Sequence, residues 1–86
     1  MQRHELELRN VPRHRVMEYL VEAGGTEDGE LAVQGEGWRG WLEELEPVKI
    51  ITMTVRRDML IIEGEDADSV DEVRDFMRRK TMRGGG

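Results

Sequence analysis

The residues of this sequence best suited to chemistry are the last four, Arg83-Gly84-Gly85-Gly86. Glycine gives a chain the conformational freedom that it needs to enter a narrow channel in a partner protein. The reactive group would be the terminal carboxylate of Gly86, which an enzyme could activate. The alternative is a frayed end, because domain termini are usually mobile unless they are tied down. We predict a flexible glycine tail over residues 84–86, and both interpretations of it stay open.

A group of cations precedes this tail on the second predicted helix. Acidic residues surround the start of that helix, and only Asp75 interrupts the positive charges at its end. One interpretation is complementarity with the helix dipole, which favours cations at the C-terminus. The other is a docking site for an acidic surface on a partner, which would steer the tail towards its acceptor. Both can hold together. The cations are Arg74, Arg78, Arg79, Lys80 and Arg83.

Two tryptophans, Trp38 and Trp41, stand three residues apart in a predicted strand. Strict alternation places them on opposite faces of a sheet, so that one fills the core and the other is exposed as an anchor for a partner. The alternative is core packing of both rings, with a bulge at Gly40 between them. The predicted partner contacts are therefore Trp38, Trp41, Arg78, Arg79, Lys80, Arg83, Gly84, Gly85 and Gly86.

The remaining polar residues form no catalytic or metal-binding pattern. His4 and His14 lack metal spacing and are expected on the surface, and the sequence has no cysteine. No serine or threonine lies in a nucleophile elbow. The acidic run at residues 43–46 is expected to be a solvated sheet edge. We predict a protein that is not an enzyme and that binds no cofactor or metal.

One further possibility is a small-molecule cavity between sheet and helices. Methionine side chains adapt to irregular spaces, and four of them could line such a pocket. Ordinary core packing is the alternative explanation. The four residues are Met17, Met53, Met59 and Met77.

Length and charge limit the classes of protein that fit. The 86 residues make a single domain, predicted over residues 1–83, with a core small enough that pairing with a second copy is plausible. The net charge of −6 opposes binding to nucleic acid or to anionic membranes, since both depend on neutralising phosphates. No segment resembles a signal peptide or a membrane span, so we expect a cytoplasmic protein.

Hydrophobic patterns predict the order strand, helix, four strands, helix. Alternation over residues 5–9 indicates a strand, and a helix with an apolar stripe follows Pro12 and ends at Gly24-Gly25. The next four strands are predicted at residues 31–34, 38–45, 48–55 and 59–62, with a turn at residues 26–29, a break at Pro47 and a hairpin turn at residues 56–58.

The last helix is expected to begin with a capping box formed by Ser69 and Glu72. Short connections between the strands indicate an antiparallel sheet, with both helices packed on one face. The predicted fold class is therefore α+β.

Several short motifs, taken in order, resemble the C-terminal domain of MoaD-related proteins. The likeness runs from about His4 to the end of the chain. In that family the domain follows a ubiquitin-like MoaD module, the sulfur carrier of molybdopterin synthesis. The motifs are Glu18-Tyr19-Leu20, Gly24-Gly25-Thr26, Gly29-Glu30, Glu46-Pro47-Val48-Lys49, Glu63-Gly64-Glu65 and Arg83-Gly84-Gly85-Gly86.

The resemblance implies a TBP-like fold, β-α-β4-α, and a setting near molybdenum-cofactor or sulfur-transfer chemistry. It implies no catalytic residues. Because Glu5 already lies in the first predicted strand, we expect the domain to occur here without the MoaD module. A TBP-like topology does not by itself imply binding to DNA, since folds do not determine function.

Three functional hypotheses follow. The first is a non-catalytic binding or accessory domain linked to molybdopterin or sulfur metabolism, which contacts a protein partner through its sheet and its basic helix end. The second is a sulfur carrier that uses the Gly86 carboxylate, although the tails of ubiquitin-like carriers leave a strand and this tail leaves a helix. The third is a domain that binds a small ligand between sheet and helices.

Overall fold

The computed structural model describes residues 1–84, with side chains as far as Met82. The fold is α+β, as predicted, and four strands lie between the two helices, but the three predicted strands at residues 38–45, 48–55 and 59–62 correspond to only two of these strands. The strands are β1 (Gln2–Arg9), β2 (Thr26–Glu27), β3 (Ala32–Gln34), β4 (Arg39–Ile50) and β5 (Met53–Gly64). The helices are α1 (Arg13–Glu22) and α2 (Ala67–Gly84).

The strands form one sheet in the order β1-β5-β4-β3-β2. Every strand pair in the described part of the chain is antiparallel, as predicted. β5 is an interior strand, because β1 pairs with it from Gln2 opposite Gly64 to Arg9 opposite Arg57, and β4 pairs with its other edge. The first strand of the chain is therefore an edge strand of the sheet and pairs with the last strand.

The hairpin between β4 and β5 turns at a different place from the predicted one. Ile51 and Thr52 connect the two strands, whereas residues 56–58 lie inside β5, where Arg57 and Asp58 pair with both β1 and β4. The predicted strand over residues 48–55 and the predicted turn at 56–58 are therefore wrong. The β-branched run continues through the turn, and Ile51 adopts a positive φ of 57° that usually favours glycine or asparagine.

Two smaller predictions also need correction. β4 does not break at Pro47, because a shift of register between Leu45 and Val48 absorbs the proline as a bulge. Thr26 and Glu27 are not part of a turn. They form the short strand β2, which pairs with Val33 and Gln34 at the edge of the sheet.

Both helices pack on one face of the sheet, as predicted, and share a single core with it. The apolar stripe of α1 buries Val16 and Leu20, at the predicted spacing of four residues. The face of the sheet that the helices do not cover is called the open face below. The core consists of Leu8, Val16, Met17, Leu20, Val33, Trp38, Leu42, Leu60, Ile62, Val70, Val73 and Met77.

The predicted end of α1 is confirmed, whereas the predicted cap at the start of α2 is wrong. α1 ends as expected, with Gly24 at a φ of 115° and the amide of Gly25 donating to the carbonyl of Leu20 at 3.2 Å. At the start of α2 the cap is Asp66, whose carboxylate accepts hydrogen bonds from the amide and the hydroxyl of Ser69 at 3.3 and 3.0 Å. The predicted capping role of Ser69 is wrong, because the aspartate three residues earlier occupies that position.

The predicted glycine tail lies largely outside the described residues. The bounds of α2 include Gly84, one residue beyond the predicted domain boundary at 83. Gly85 and Gly86 are not described, and the flexible tail stays a prediction.

Candidate functional site

The two tryptophans lie on opposite faces of the sheet, as their spacing predicted. Trp38 is 5% exposed and belongs to the core beneath the helices, so it is not free to anchor a partner. Trp41 lies on the open face, opposite Ala32 on β3 and Ile61 on β5, and is half-buried. Of the two predicted aromatic contacts, only Trp41 remains a candidate.

The Trp41 ring is held in place by charged neighbours. The guanidinium carbon of Arg39 lies 5.2 Å from the ring centroid, and that of Arg3 lies 5.9 Å from it, both within the range of cation–π attraction. The indole nitrogen donates a hydrogen bond to Glu43 at 3.2 Å. A ring that is already ordered loses little entropy when a partner covers it, which suits an anchor residue.

Ion pairs cover the open face around this ring. Arg3 donates hydrogen bonds to Glu5 at 3.0 Å and to Glu63 at 2.9 Å, and the bond to Glu5, followed by that to Glu63, raises the pKa of the Arg3 guanidinium. Beneath this layer Ile61 is only 1% exposed. The open face therefore presents charges and one aromatic ring, not an apolar patch, and suits a polar partner.

The basic end of α2 consists of Arg78, Arg79 and Lys80, three of the predicted contacts. Arg78 and Arg79 are exposed, and among the side chains described, residues 1–82, neither makes an ion pair. Lys80 differs from them: it contacts Glu22 at 3.5 Å and lies over the rings of Tyr19 and Phe76. Lys80 thus joins α2 to α1, and the two arginines carry the exposed charge.

The last four of the predicted contact residues are described only in part or not at all. The side chain of Arg83 is outside the described side chains, and only the helical backbone of Gly84 is described. Gly85 and Gly86 lie outside the described residues. The structure therefore brings Arg78 and Arg79 to the helix end from which the tail departs, and the position of Trp41 on the open face sets it apart from them.

His4 has a structural position that the sequence did not predict. Its side chain is half-buried between β1 and α2, with Nε2 2.7 Å from Asp71 and Nδ1 3.4 Å from Arg74. Hydrogen bonds from Gln2 and then from His4 lower the pKa of the Asp71 carboxyl. The expectation of a surface residue is confirmed for His14, which is exposed, and is wrong for His4.

A groove of about 490 Å³ lies between the two helices and is called the interhelical groove below. Its apolar lining comes from Ala23, Trp38, Val73 and Phe76. Its polar lining is mainly acidic and consists of Glu22, Ser69, Glu72, Asp75 and Arg79.

The predicted methionine cavity does not exist, because the four side chains lie apart. Met17 and Met77 are buried in the core. Met59 is half-buried on β5 opposite Glu43, on the open face, and Met53 is 65% exposed near the hairpin turn. These side chains cannot line one pocket.

A feature missed from the sequence is the far end of the β4–β5 hairpin, residues 47–56, called the arm below. It extends past the last pair of β1, Arg9 opposite Arg57. At its base the carbonyl of Arg56 accepts from the amide of Asn10 at 2.8 Å, and the Arg56 guanidinium donates to the carbonyl of Val11 at 2.9 Å. Ile50, Ile51 and Met53 are 47%, 97% and 65% exposed at its tip. The available signal was a segment without acidic residues, and predicting one strand over residues 48–55 concealed the turn at its tip.

Neither helix in the described part of the chain combines the length and apolarity that crossing a membrane requires.

Comparison with known proteins agrees with the resemblance seen in the sequence. The model of a family described as archaeal MoaD-like protein matches residues 4–86, which is nearly the whole chain. No curated protein matches it. The predicted relation to MoaD proteins is confirmed at the level of the family.

Proposed function

Because the chain belongs to the archaeal MoaD-like protein family, we propose that it is a non-catalytic binding module of molybdopterin or sulfur-carrier metabolism. The observation that carries this proposal is the exposed pair Arg78 and Arg79 in the C-terminal part of α2, with four residues between Arg79 and Gly84. A partner with an acidic surface would meet both charges together with the last residues of the chain.

The charges of α2 favour docking at this end. The start of the helix is acidic, with Asp66 as cap and Asp68 in the first turn, so an acidic partner is repelled there and attracted to Arg78 and Arg79. Lys80 contacts Glu22 and lies over two rings of the core side of the helices, which holds α2 against α1 as far as Lys80. Arg78 and Arg79 are therefore presented from an ordered part of the helix.

The fold supports a binding module over a carrier module. The order β-α-β4-α and the wholly antiparallel pairing of the described strands are compatible with the TBP-like domain that follows MoaD in related proteins. We propose that the chain corresponds to that domain. Trp41 on the open face would supply a second contact, which a partner reaches by extending across the sheet.

The proposal predicts that reversing two charges abolishes capture of a specific class of proteins. With the protein immobilised in native extract, we expect enzymes of molybdopterin synthesis or sulfur transfer among the captured proteins, identified by mass spectrometry. The double variant Arg78→Glu/Arg79→Glu should reduce their recovery by roughly tenfold or more, because complementary charges steer and hold the complex. Arg15→Glu, an exposed charge on α1 without an ion pair among the described side chains, is the matched control.

Recovery of unrelated proteins only would contradict this function. Equal losses with the Arg15 control would also count against it, because the effect would then reflect net charge and not this helix end.

A second candidate function is a sulfur carrier, and the observation that favours it is the family match that extends to Gly86. An activating enzyme would transfer AMP from ATP to the terminal carboxylate with release of pyrophosphate, and hydrosulfide, or a donor of sulfur at the same oxidation level, would then displace AMP to leave a thiocarboxylate. Gly84 lies in α2, where glycine costs about 1 kcal/mol relative to alanine, so the last turn is weakly held and can unwind into an enzyme channel.

Intact mass spectrometry of protein isolated from its host tests the carrier function. A carrier should show the mass increase that results from exchanging one oxygen for sulfur, and a variant without Gly86 should lack it. An unmodified terminus in cells that are actively making the sulfur-containing product would exclude this candidate and leave the binding module untouched.

A further inference from the structure

The arm exposes apolar side chains at a place where folding alone favours a different residue. Ile51 is 97% exposed and has a φ of 57°, in a two-residue hairpin turn. A β-branched residue is strained there, and glycine or asparagine fits far better. Folding gains nothing from an isoleucine that is both strained and solvated, so its side chain has a use outside the monomer.

The tip is a compact apolar surface on a rigid support. Ile50, Ile51 and Met53 lie within four residues of one another, and Ile50 pairs with Met53 across the hairpin. The arm adds roughly 15 Å beyond the edge that β1 covers, at the usual rise of a strand. An elongated hairpin of this kind can insert its tip into a groove.

The charge of the arm limits what it can contact. Residues 47–56 contain Lys49 and Arg56 and no acidic residue, in a protein of net charge −6. Lys49 is exposed and makes no ion pair among the described side chains. Two arms placed side by side would bring like charges together, which disfavours pairing between arms.

The interhelical groove has the complementary chemistry. Its floor is apolar, with Val73 and Phe76 among its lining residues, and its rim carries Glu22, Glu72 and Asp75 together with Arg79. Glu22 contacts Lys80 and Asp75 contacts Arg74, whereas Glu72 is exposed and unpaired within the described side chains. An apolar tip flanked by a lysine matches an apolar floor bordered by the free carboxylate of Glu72, in both polarity and sign of charge.

We propose that the arm of one molecule docks in the interhelical groove of a second copy of the same chain. Ile50, Ile51 and Met53 enter the groove, and Lys49 lies against its acidic rim. The arm is the end of a continuous hairpin in the sheet layer, so it cannot fold back onto the groove between its own helices. One such contact is smaller than a standard interface, so the complex is concentration-dependent, and a reciprocal pair of contacts closes it as a dimer.

Sedimentation velocity on the full chain, from micromolar to millimolar protein, tests this proposal. The wild type should form a dimer, and Ile51→Asn should raise its dissociation constant by roughly tenfold or more, since an apolar anchor is lost. The same variant should also raise the melting temperature, because asparagine tolerates the positive φ. Loss of the dimer without loss of stability separates docking from unfolding.

A charge exchange identifies the two surfaces. Lys49→Glu and Glu72→Lys should each weaken the dimer, and the double variant Lys49→Glu/Glu72→Lys should restore it. Glu30→Lys is the matched control for net charge, because Glu30 is exposed in the loop before β3 and belongs to neither surface; it should leave the dimer unchanged.

Three results would overturn the proposal. The chain could remain monomeric throughout the concentration range, the dimer could be insensitive to Ile51→Asn, or the double exchange could be no better than the single reversals. If the chain alone stays monomeric while Ile51→Asn weakens capture of a different protein, the arm docks on that protein and not on a second copy.

Discussion

Gly64→Ala is expected to destabilise the protein by about 3 kcal/mol, the upper end of what overpacking usually costs. A Cβ atom at residue 64 would collide with the carbonyl oxygen of Gly37 and lie only 2.7 Å from the Cα of Trp38. These are backbone atoms, so no rotamer change can relieve the contact. The strand end would have to move away from the segment that seats the core tryptophan.

The loss is large for a domain of this size, because small proteins are stable by only about 5–15 kcal/mol. Urea denaturation followed by tryptophan fluorescence measures it directly. Gly29→Ala is the control: nothing lies within 4 Å of its added Cβ, but its φ of 101° still makes alanine strained. That variant should lose only about 1 kcal/mol. Equal losses for the two variants would show that close packing at Gly64 is unimportant.

The elements predicted best are those whose signal is local. The strand at residues 5–9 and the stripe of Val16 and Leu20 each follow a single periodicity, and the structure has both. The predicted position of the turn between β4 and β5 is wrong because residues far away in the sequence determine it. β5 pairs with β1 over residues 57–64, although the paired residues lie at least 48 positions apart in the sequence, and no glycine or asparagine marks Ile51 as a turn.

The candidate site shows the same division. Alternation placed Trp38 and Trp41 on opposite faces, but it could not say which face the helices cover. Gly40 lies on the face that the helices cover, and its missing side chain leaves room for α1, since a Cβ there would lie 3.1 Å from Leu20 of α1. The arm was missed for a related reason: an apolar strand and an exposed apolar hairpin have the same local sequence pattern. Only the length of β1, which ends before the arm begins, distinguishes the two.

Asp58 is the clearest case of a residue whose role depends on distant partners. The sequence placed it in a turn, whereas it is 3% exposed on β5, opposite Leu8. Arg13 at the start of α1 donates hydrogen bonds to the Asp58 carboxylate at 2.8 and 3.2 Å. These hydrogen bonds are the main reason why the pKa of the Arg13 guanidinium is raised. Arg56 lies 3.9 Å from the same carboxylate.

This ion pair predicts unequal effects when either partner is replaced. Arg13→Met leaves the buried Asp58 carboxylate with only the distant Arg56, and an uncompensated buried carboxylate costs about 3 kcal/mol or more. Asp58→Asn leaves Arg13, whose side chain is 29% exposed and can be solvated, so the expected loss is about 1 kcal/mol. The arginine variant should therefore be much the less stable.

A double-mutant cycle in urea at neutral pH measures the asymmetry. Arg13→Met/Asp58→Asn should be more stable than Arg13→Met alone, because the second change removes the unpaired charge. Arg15→Met, an exposed neighbour on α1, is the control and should change stability by no more than about 0.5 kcal/mol. Losses that simply add, or a larger loss for Asp58→Asn than for Arg13→Met, would mean that the burial of the carboxylate does not govern this end of the fold.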